Sequence, residues 1–184
     1  MAAITLDIEY TEPRSRLTNF FRYFLALPHL IVVSAVSYVA QIVAVVQWFI
    51  ILFTGKRNEG IWNFTNGVLN WQVRMFTYLG MMFDAYPNFG FEGRAEPVQY
   101  GATYEAEASR LTNGLRFIWA IPAIVVATLL SIAGTVVTIV CWFAIIVTGK
   151  QPRGLFDFLL KVHRYCMRTN GYTMLLTDTY PAYE

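Results

Sequence analysis

The sequence predicts an all-α integral membrane protein built by tandem duplication, and three observations predict it. The 184 residues are 56% hydrophobic and 14% charged, with a mean hydropathy of +0.44, outside the range of ordinary soluble domains. The apolar residues gather in two blocks, 17–54 and 111–148, in each of which the single formal charge is an arginine, Arg22 or Arg116. Sliding the chain along itself by 94 positions then aligns the two blocks and their surroundings without a gap, with about 26 of the 76 pairs from Ser15 onward identical, too long a match for shared hydrophobicity alone. The chain divides accordingly into a lead-in (1–14), a first repeat (15–90), a linker (91–108) and a second repeat (109–184).

In the lead-in Ile4, Leu6, Ile8 and Tyr10 alternate with Thr5, Asp7 and Glu9, and Val98, Tyr100, Ala102 and Tyr104 alternate in the same way, the period of a half-buried strand. A small two-stranded element from 4–10 and 98–104 is predicted, resting on a partner chain or on the membrane-facing helices because two strands alone are marginal. Arg14 to Asn19 supplies polar helix-start residues, and Pro28 and Pro122 fall inside the apolar blocks, where a proline bends a helix.

Each block has 38 residues, about 57 Å as a straight helix against roughly 30 Å of hydrocarbon, so each must bend, tilt or turn back. Since the polar motifs around the blocks recur in kind, both copies are expected to meet the same environment, which requires an even number of crossings per copy. Ser37-Tyr38-Val39-Ala40-Gln41 and Ser131-Ile132-Ala133-Gly134-Thr135 are the least apolar windows. They are the candidate turns of a helical hairpin in each copy, 17–36 with 38–54 and 111–130 with 132–148. The alternative is a single tilted helix, from Pro28 to Thr54 in the first copy. Hairpins would place nearly every charge on one side, cytoplasmic by the positive-inside tendency, with the termini there too.

Thr54-Gly55-Lys56 and Thr148-Gly149-Lys150 end the blocks, glycine supplying a left-handed cap and lysine reaching to the interface. An amphipathic helix is expected after each. In the second copy Asp157, Lys161, Arg164 and Arg168 share one face opposite Leu155, Leu159, Val162 and Cys166. In the first the same stripe reads Asn63, Gly67, Asn70 and Arg74. A charged stripe is costly in hydrocarbon and solvated at the interface. Lys161, Arg164, Arg168, Arg74, Lys56, Lys150 and Arg153 are therefore the expected lipid-headgroup contacts. Asp84-Ala85-Tyr86-Pro87 and Asp178-Thr179-Tyr180-Pro181 read as an interfacial anchor with a helix stop.

Ala26-Leu27-Pro28-His29, Trp48-Phe49 through Thr54-Gly55-Lys56, Lys150-Gln151-Pro152-Arg153-Gly154-Leu155-Phe156-Asp157-Phe158 and the closing Leu175-Leu176-Thr177-Asp178-Thr179-Tyr180-Pro181 resemble the bacterial membrane family called domain of unknown function 4389. The resemblance covers both copies. In the first, Arg57-Asn58-Glu59 replaces the proline-containing stretch. The resemblance implies a bacterial membrane protein and carries no assigned activity.

Chemistry is sparse. His29 and His163 are the only histidines and neither recurs in the other copy, no metal-ligand spacing occurs, and Cys141 and Cys166 sit among apolar residues. No cleaved signal is read at the N-terminus, a net charge of +2 does not suggest nucleic acid, and no cofactor is expected. The expected function is non-enzymatic: an accessory or scaffold protein of the inner membrane whose partners are lipids and other membrane subunits or further copies of itself. The alternative is a small transporter or channel subunit, which would use the polar line Ser34, Ser37, Tyr38, Gln41 and Gln47.

Overall fold

The computed structural model describes residues 4–92 and 97–183. Its elements are β1 (Ile4–Ile8), α1 (Arg16–Thr54), α2 (Glu59–Leu79), β2 (Val98–Ala102), α3 (Arg110–Thr148) and α4 (Arg153–Thr173). The two long helices begin alike: Ser15 and Ser109 are extended and their hydroxyls accept from the N–H of Thr18 and Thr112, the usual satisfaction of a free helix-start donor. They end alike as well. Gly55 at φ 72° and Gly149 at φ 73° take the left-handed cap that a side chain would resist.

Between those caps there is no hairpin. Both long helices run unbroken for 39 residues, about 58 Å, through their prolines and through both expected turns. The polar residues in the expected turns fail to break them because each serine and threonine hydroxyl there satisfies itself inside the helix. Ser37 donates to the carbonyl of Val33, Ser131 to Ala127 and Thr135 to Ser131, and the first window has no glycine or proline to stop propagation.

The strands are shorter than their alternation, five residues each, and antiparallel: Ile4 faces Ala102, Leu6 faces Tyr100 and Ile8 faces Val98. Leu6 and Tyr100 are 94 positions apart, so each strand is the other's duplicate and a two-fold axis passes between that central pair. The same axis relates the long helices. The indole N–H of Trp48 donates to the Asn113 carbonyl and that of Trp142 to the Asn19 carbonyl; Arg14 N–H donates to Gly149 and Ala108 N–H to Gly55. Each pair is the other displaced by 94. The start of α1 thus meets the end of α3 and the reverse, so the two helices are antiparallel. α2 and α4 are antiparallel too, for Asn170 donates to Gln72 while His163 lies against Phe76.

Three layers stack along that axis. α1 and α3 form the first, α2 and α4 the second, and the sheet the third, with β1 on α4 and β2 on α2. The middle layer is the core. Eleven of 21 residues in α2 and nine of 21 in α4 are buried, against nine and eight of 39 in the long helices. The amphipathic helices, expected as riders on a surface, are instead enclosed on both sides, because each has one apolar face for the long helices and the sheet covers the other.

Candidate functional site

The expected site comprises seven basic residues, and the structure divides them. Arg74 is buried, 3% exposed, and holds the 88–90 loop through the carbonyls of Asn88 and Gly90 and the side chains of Asn88 and Asn70. Arg164 turns onto β1, donating to the Leu6 carbonyl and pairing with Asp7 at 2.9 Å. Arg168 donates to the Ala182 carbonyl. All three hydrogen-bond to protein groups, and of the α4 stripe Arg164 reaches β1, at the Leu6 carbonyl and Asp7. Arg153 is exposed, paired with Asp157 at 3.1 Å and lying over the Tyr10 ring. Lys56, Lys150 and Lys161 are exposed.

Lys56 and Lys150 acquire neighbours that their sequence positions do not suggest. The Arg110 guanidinium passes over Gly55 and the Arg16 guanidinium over Gly149, so that a Cβ on either glycine would meet it at 3.1 or 3.4 Å. One end of the long-helix layer therefore carries Lys56 with Arg110, and the other carries Lys150 with Arg16. Leu17, Phe53, Leu111 and Val147, 67–72% exposed, stand beside them. All four basic side chains are exposed, and none of the 12 acidic residues lies in α1 or α3. A wide apolar face bounded at both ends by long cationic side chains can bed its carbon stems in a nonpolar phase and offer N–H donors to phosphate at the boundary.

The lone arginines of the apolar blocks have a different task. Arg22, fully buried, donates to the Tyr78 and Phe83 carbonyls at 2.5 and 2.7 Å, pairs with Asp84 at 2.8 Å and stacks 4.3 Å from the Tyr78 ring. Arg116 repeats this on the Tyr172 and Thr177 carbonyls, with Asp178 at 2.5 Å and the Tyr172 ring at 4.4 Å. The collar exists because Met81 and Leu175 turn left-handed after α2 and α4, φ 62° and 65°, which exposes the helix-end carbonyls to a donor. The same aspartates accept from the backbone N–H of Ser15 and Ser109. Asp-x-Tyr-Pro is therefore a lock joining a short helix's end to a long helix's start. Two further residues escaped the sequence reading. Arg57 binds the carbonyls of Leu175, Glu105 and Glu107 and pairs with Asp178 at 2.6 Å. Arg14 binds the Met82 carbonyl and Gln151. The signal for the first lock was present: a single charge in each apolar block and a single acid in each closing motif, both recurring at a shift of 94.

Among the described residues no cluster of three His, Cys, Asp or Glu side chains could hold a metal ion. No curated protein and no solved structure matches the chain. α1 and α3 are long and apolar enough to cross a membrane, and only 22% and 11% of their most apolar windows are buried. A family model does match, over residues 16–91 and again over 110–183, the two units the internal repeat delimits. The chain accordingly belongs to the family described as Domain of unknown function (DUF4389), of which it carries two tandem copies.

Proposed function

We propose that the protein is a non-enzymatic membrane scaffold that beds the α1–α3 layer into one leaflet and keeps α2, α4 and the sheet on that leaflet's aqueous side. The order of the layers along the two-fold axis carries the reading. Were α1 and α3 to cross the bilayer as antiparallel spans, the axis would lie in the membrane plane. The middle of α4, with Lys161, Arg164 and Arg168, and the outer edges of a two-stranded sheet would then stand at mid-depth. Each cation there costs at least about 2.5–3.5 kcal/mol on insertion scales, and open sheet edges do not occur in hydrocarbon. With the axis along the membrane normal both costs vanish, and both copies meet one environment. Two 58 Å helices lying in one leaflet widen it relative to the other, which makes the chain a wedge that binds or shapes the lipid surface.

Lys56 with Arg110 and Lys150 with Arg16 meet lipid phosphate at the two ends of the wedge, and Lys161 and Arg153 lie further from the bilayer. The positive-inside tendency puts this face on the cytoplasmic side of a bacterial inner membrane. Neighbouring membrane subunits or further copies of the chain are the partners such a wedge recruits. A transport role draws less support, since Arg22 and Arg116 are held in structural collars and not aligned along a path. The test is single cysteines replacing Lys56 and Lys150 in a background without Cys141 and Cys166, reconstituted in vesicles. A membrane-impermeant reagent reaches both from one side if the layer lies in one leaflet. Labelling from opposite sides makes α1 and α3 spans and ends this reading.

A further inference from the structure

A cleft of 480 Å³ lies between the long helices, floored by α2 and α4 and walled by Tyr23 of α1 and by Ser131, Gly134, Thr135 and Thr138 of α3. That size is ordinary for a small-molecule pocket, about 300–1,000 Å³. Three features set it apart from a packing gap.

The first is its departure from the two-fold symmetry that governs the rest. Gly134 stands where α1 has Ala40, Thr138 where it has Ala44, and Gly80 where the end of α4 has Met174. The two sides of the axis therefore differ in their lining: Gly134 lets Val162 stand 3.2 Å from where a Cβ would be, Thr138 adds a hydroxyl that Ala44 lacks, and the place of a side chain at Gly80 is taken by the His163 ring, which a Cβ would meet at 2.6 Å. Both ring nitrogens of His163 lie against carbonyls, of Leu159 at 2.8 Å and Phe76 at 3.2 Å, which fixes the ring as a wall.

The second is charge. Apart from the histidine, none of the lining side chains is ionisable at neutral pH, and the walls are mainly apolar. The third is a set of unspent polar atoms. Among the described residues the Tyr23 phenol, the Thr138 hydroxyl and the Asn170 amide oxygen make no hydrogen bond within the protein, although Thr138 is 9% exposed and Asn170 spends its N–H on Gln72. Donors and an acceptor thus line one mainly apolar cleft beside the long helices.

We propose that the cleft binds one membrane-dissolved lipid with an uncharged, hydroxyl-bearing head, the head against Tyr23, Thr138 and Asn170 and the tail running out between α1 and α3. An uncharged head follows from a cleft with no cation to pair a phosphate or carboxylate, since an unpaired buried charge is strongly disfavoured. A hydroxyl can donate to Asn170 and accept from Tyr23 or Thr138. The proposal rests on the long-helix layer being embedded in lipid.

Cys166 lines the cleft, its thiol 3.3 Å from the Ser131 hydroxyl, while Cys141 is fully buried elsewhere, so alkylation of Cys166 reports occupancy. Full-length protein in phosphatidylethanolamine–phosphatidylglycerol vesicles is timed with a bilayer-soluble and a water-soluble maleimide, the modified residue being identified by mass spectrometry. Faster reaction with the bilayer-soluble reagent tests embedding independently of any ligand. Dioleoylglycerol or a long-chain alcohol is expected to slow that reaction about fivefold when present at four times its dissociation constant, while oleate and additional phosphatidylglycerol leave it unchanged. Thr135→Trp, at an exposed wall position, abolishes protection by filling the cleft, and Thr138→Val weakens it by removing the hydroxyl. Gln41→Trp, the duplicate of Thr135 outside the cleft, leaves protection intact. Equal protection by charged and neutral lipids, no protection at all, or protection that survives Thr135→Trp overturns the proposal. A faster water-soluble reagent overturns the embedding first.

Discussion

The two ends of the molecule solve one electrostatic problem with different residues. At both, an arginine from a long helix enters a collar of carbonyls and meets the aspartate of Asp-x-Tyr-Pro. A second arginine then serves the carbonyls beside it. For Asp178 that arginine is Arg57, which comes from the loop after α1, opposite Ala106. At the Asp84 end it is Arg14, which comes from the connection between β1 and α1, with Gln151 in the place that Arg57 holds. Since Arg57 aligns with Gln151 and Arg14 with Ala108 under the shift of 94, neither arginine is the duplicate of the other. What the two copies share is the pairing of the buried arginine with its aspartate; the second cation comes from a different chain segment at each end. The requirement is set by the free carbonyls of a left-handed helix end, which any nearby guanidinium can meet.

The largest effect that would break this comparison concerns the aspartates. Asp178 pairs directly with two arginines and Asp84 with one. Asp178→Asn is expected to cost about 3–5 kcal/mol, the range for orphaning a buried charge, and to lower the unfolding midpoint in mild detergent further than Asp84→Asn does. Equal losses would mean that Arg57 adds nothing at its end.

Next in size is a transplant. Arg57→Gln strips donors from three carbonyls, each worth about 1–3 kcal/mol if left buried and unpaired. Adding Ala108→Arg to that variant converts the Asp178 end to the design of the Asp84 end, so at least half of the lost stability should return. Failure of the double variant to recover, measured on the same unfolding curve, would show that the two arrangements are not interchangeable.

The Trp48 and Trp142 hydrogen bonds are related by the axis at 2.8 and 3.0 Å. Trp48→Phe and Trp142→Phe should each cost about 1 kcal/mol and match each other. A twofold disparity would place one of them outside the shared clasp.

Smallest are the basic ends. Lys56→Gln and Lys150→Gln should each weaken binding to anionic vesicles by about 1 kcal/mol, with the loss fading as salt rises. Arg164→Gln should act chiefly on stability, through the lost pair with Asp7. If Arg164→Gln reduces vesicle binding more than the lysine variants do, the α4 stripe faces lipid after all.

Much of the fold was legible because it is local or repetitive. The caps at Ser15, Gly55, Ser109 and Gly149 follow from side-chain chemistry within one turn, the amphipathic faces of α2 and α4 from a 3.6-residue period, and the strand alternation from a period of two. The expected turns were illegible because a serine or threonine in an apolar run can either break a helix or bond back to its own carbonyl, and composition does not distinguish the two. The site was read less well than the fold. Lys56 and Lys150 remain exposed, Arg74 is buried, and Arg164 pairs with Asp7 at the surface. A charged stripe records only that one face needs polar partners.

By itself the sequence determined that the chain is duplicated, where the two apolar blocks are capped, and which charges lie inside them, since these depend on neighbours a few residues apart or on identity at a fixed shift. Only the tertiary structure decided that the copies embrace antiparallel about one axis, that Asp84 and Asp178 lock Arg22 and Arg116, and that Arg164 of α4 pairs with β1. Those outcomes join residues 60 to 160 positions apart. They are selected by which buried carbonyls and carboxylates are left without a donor once the helices have packed, a quantity that exists only in the folded chain.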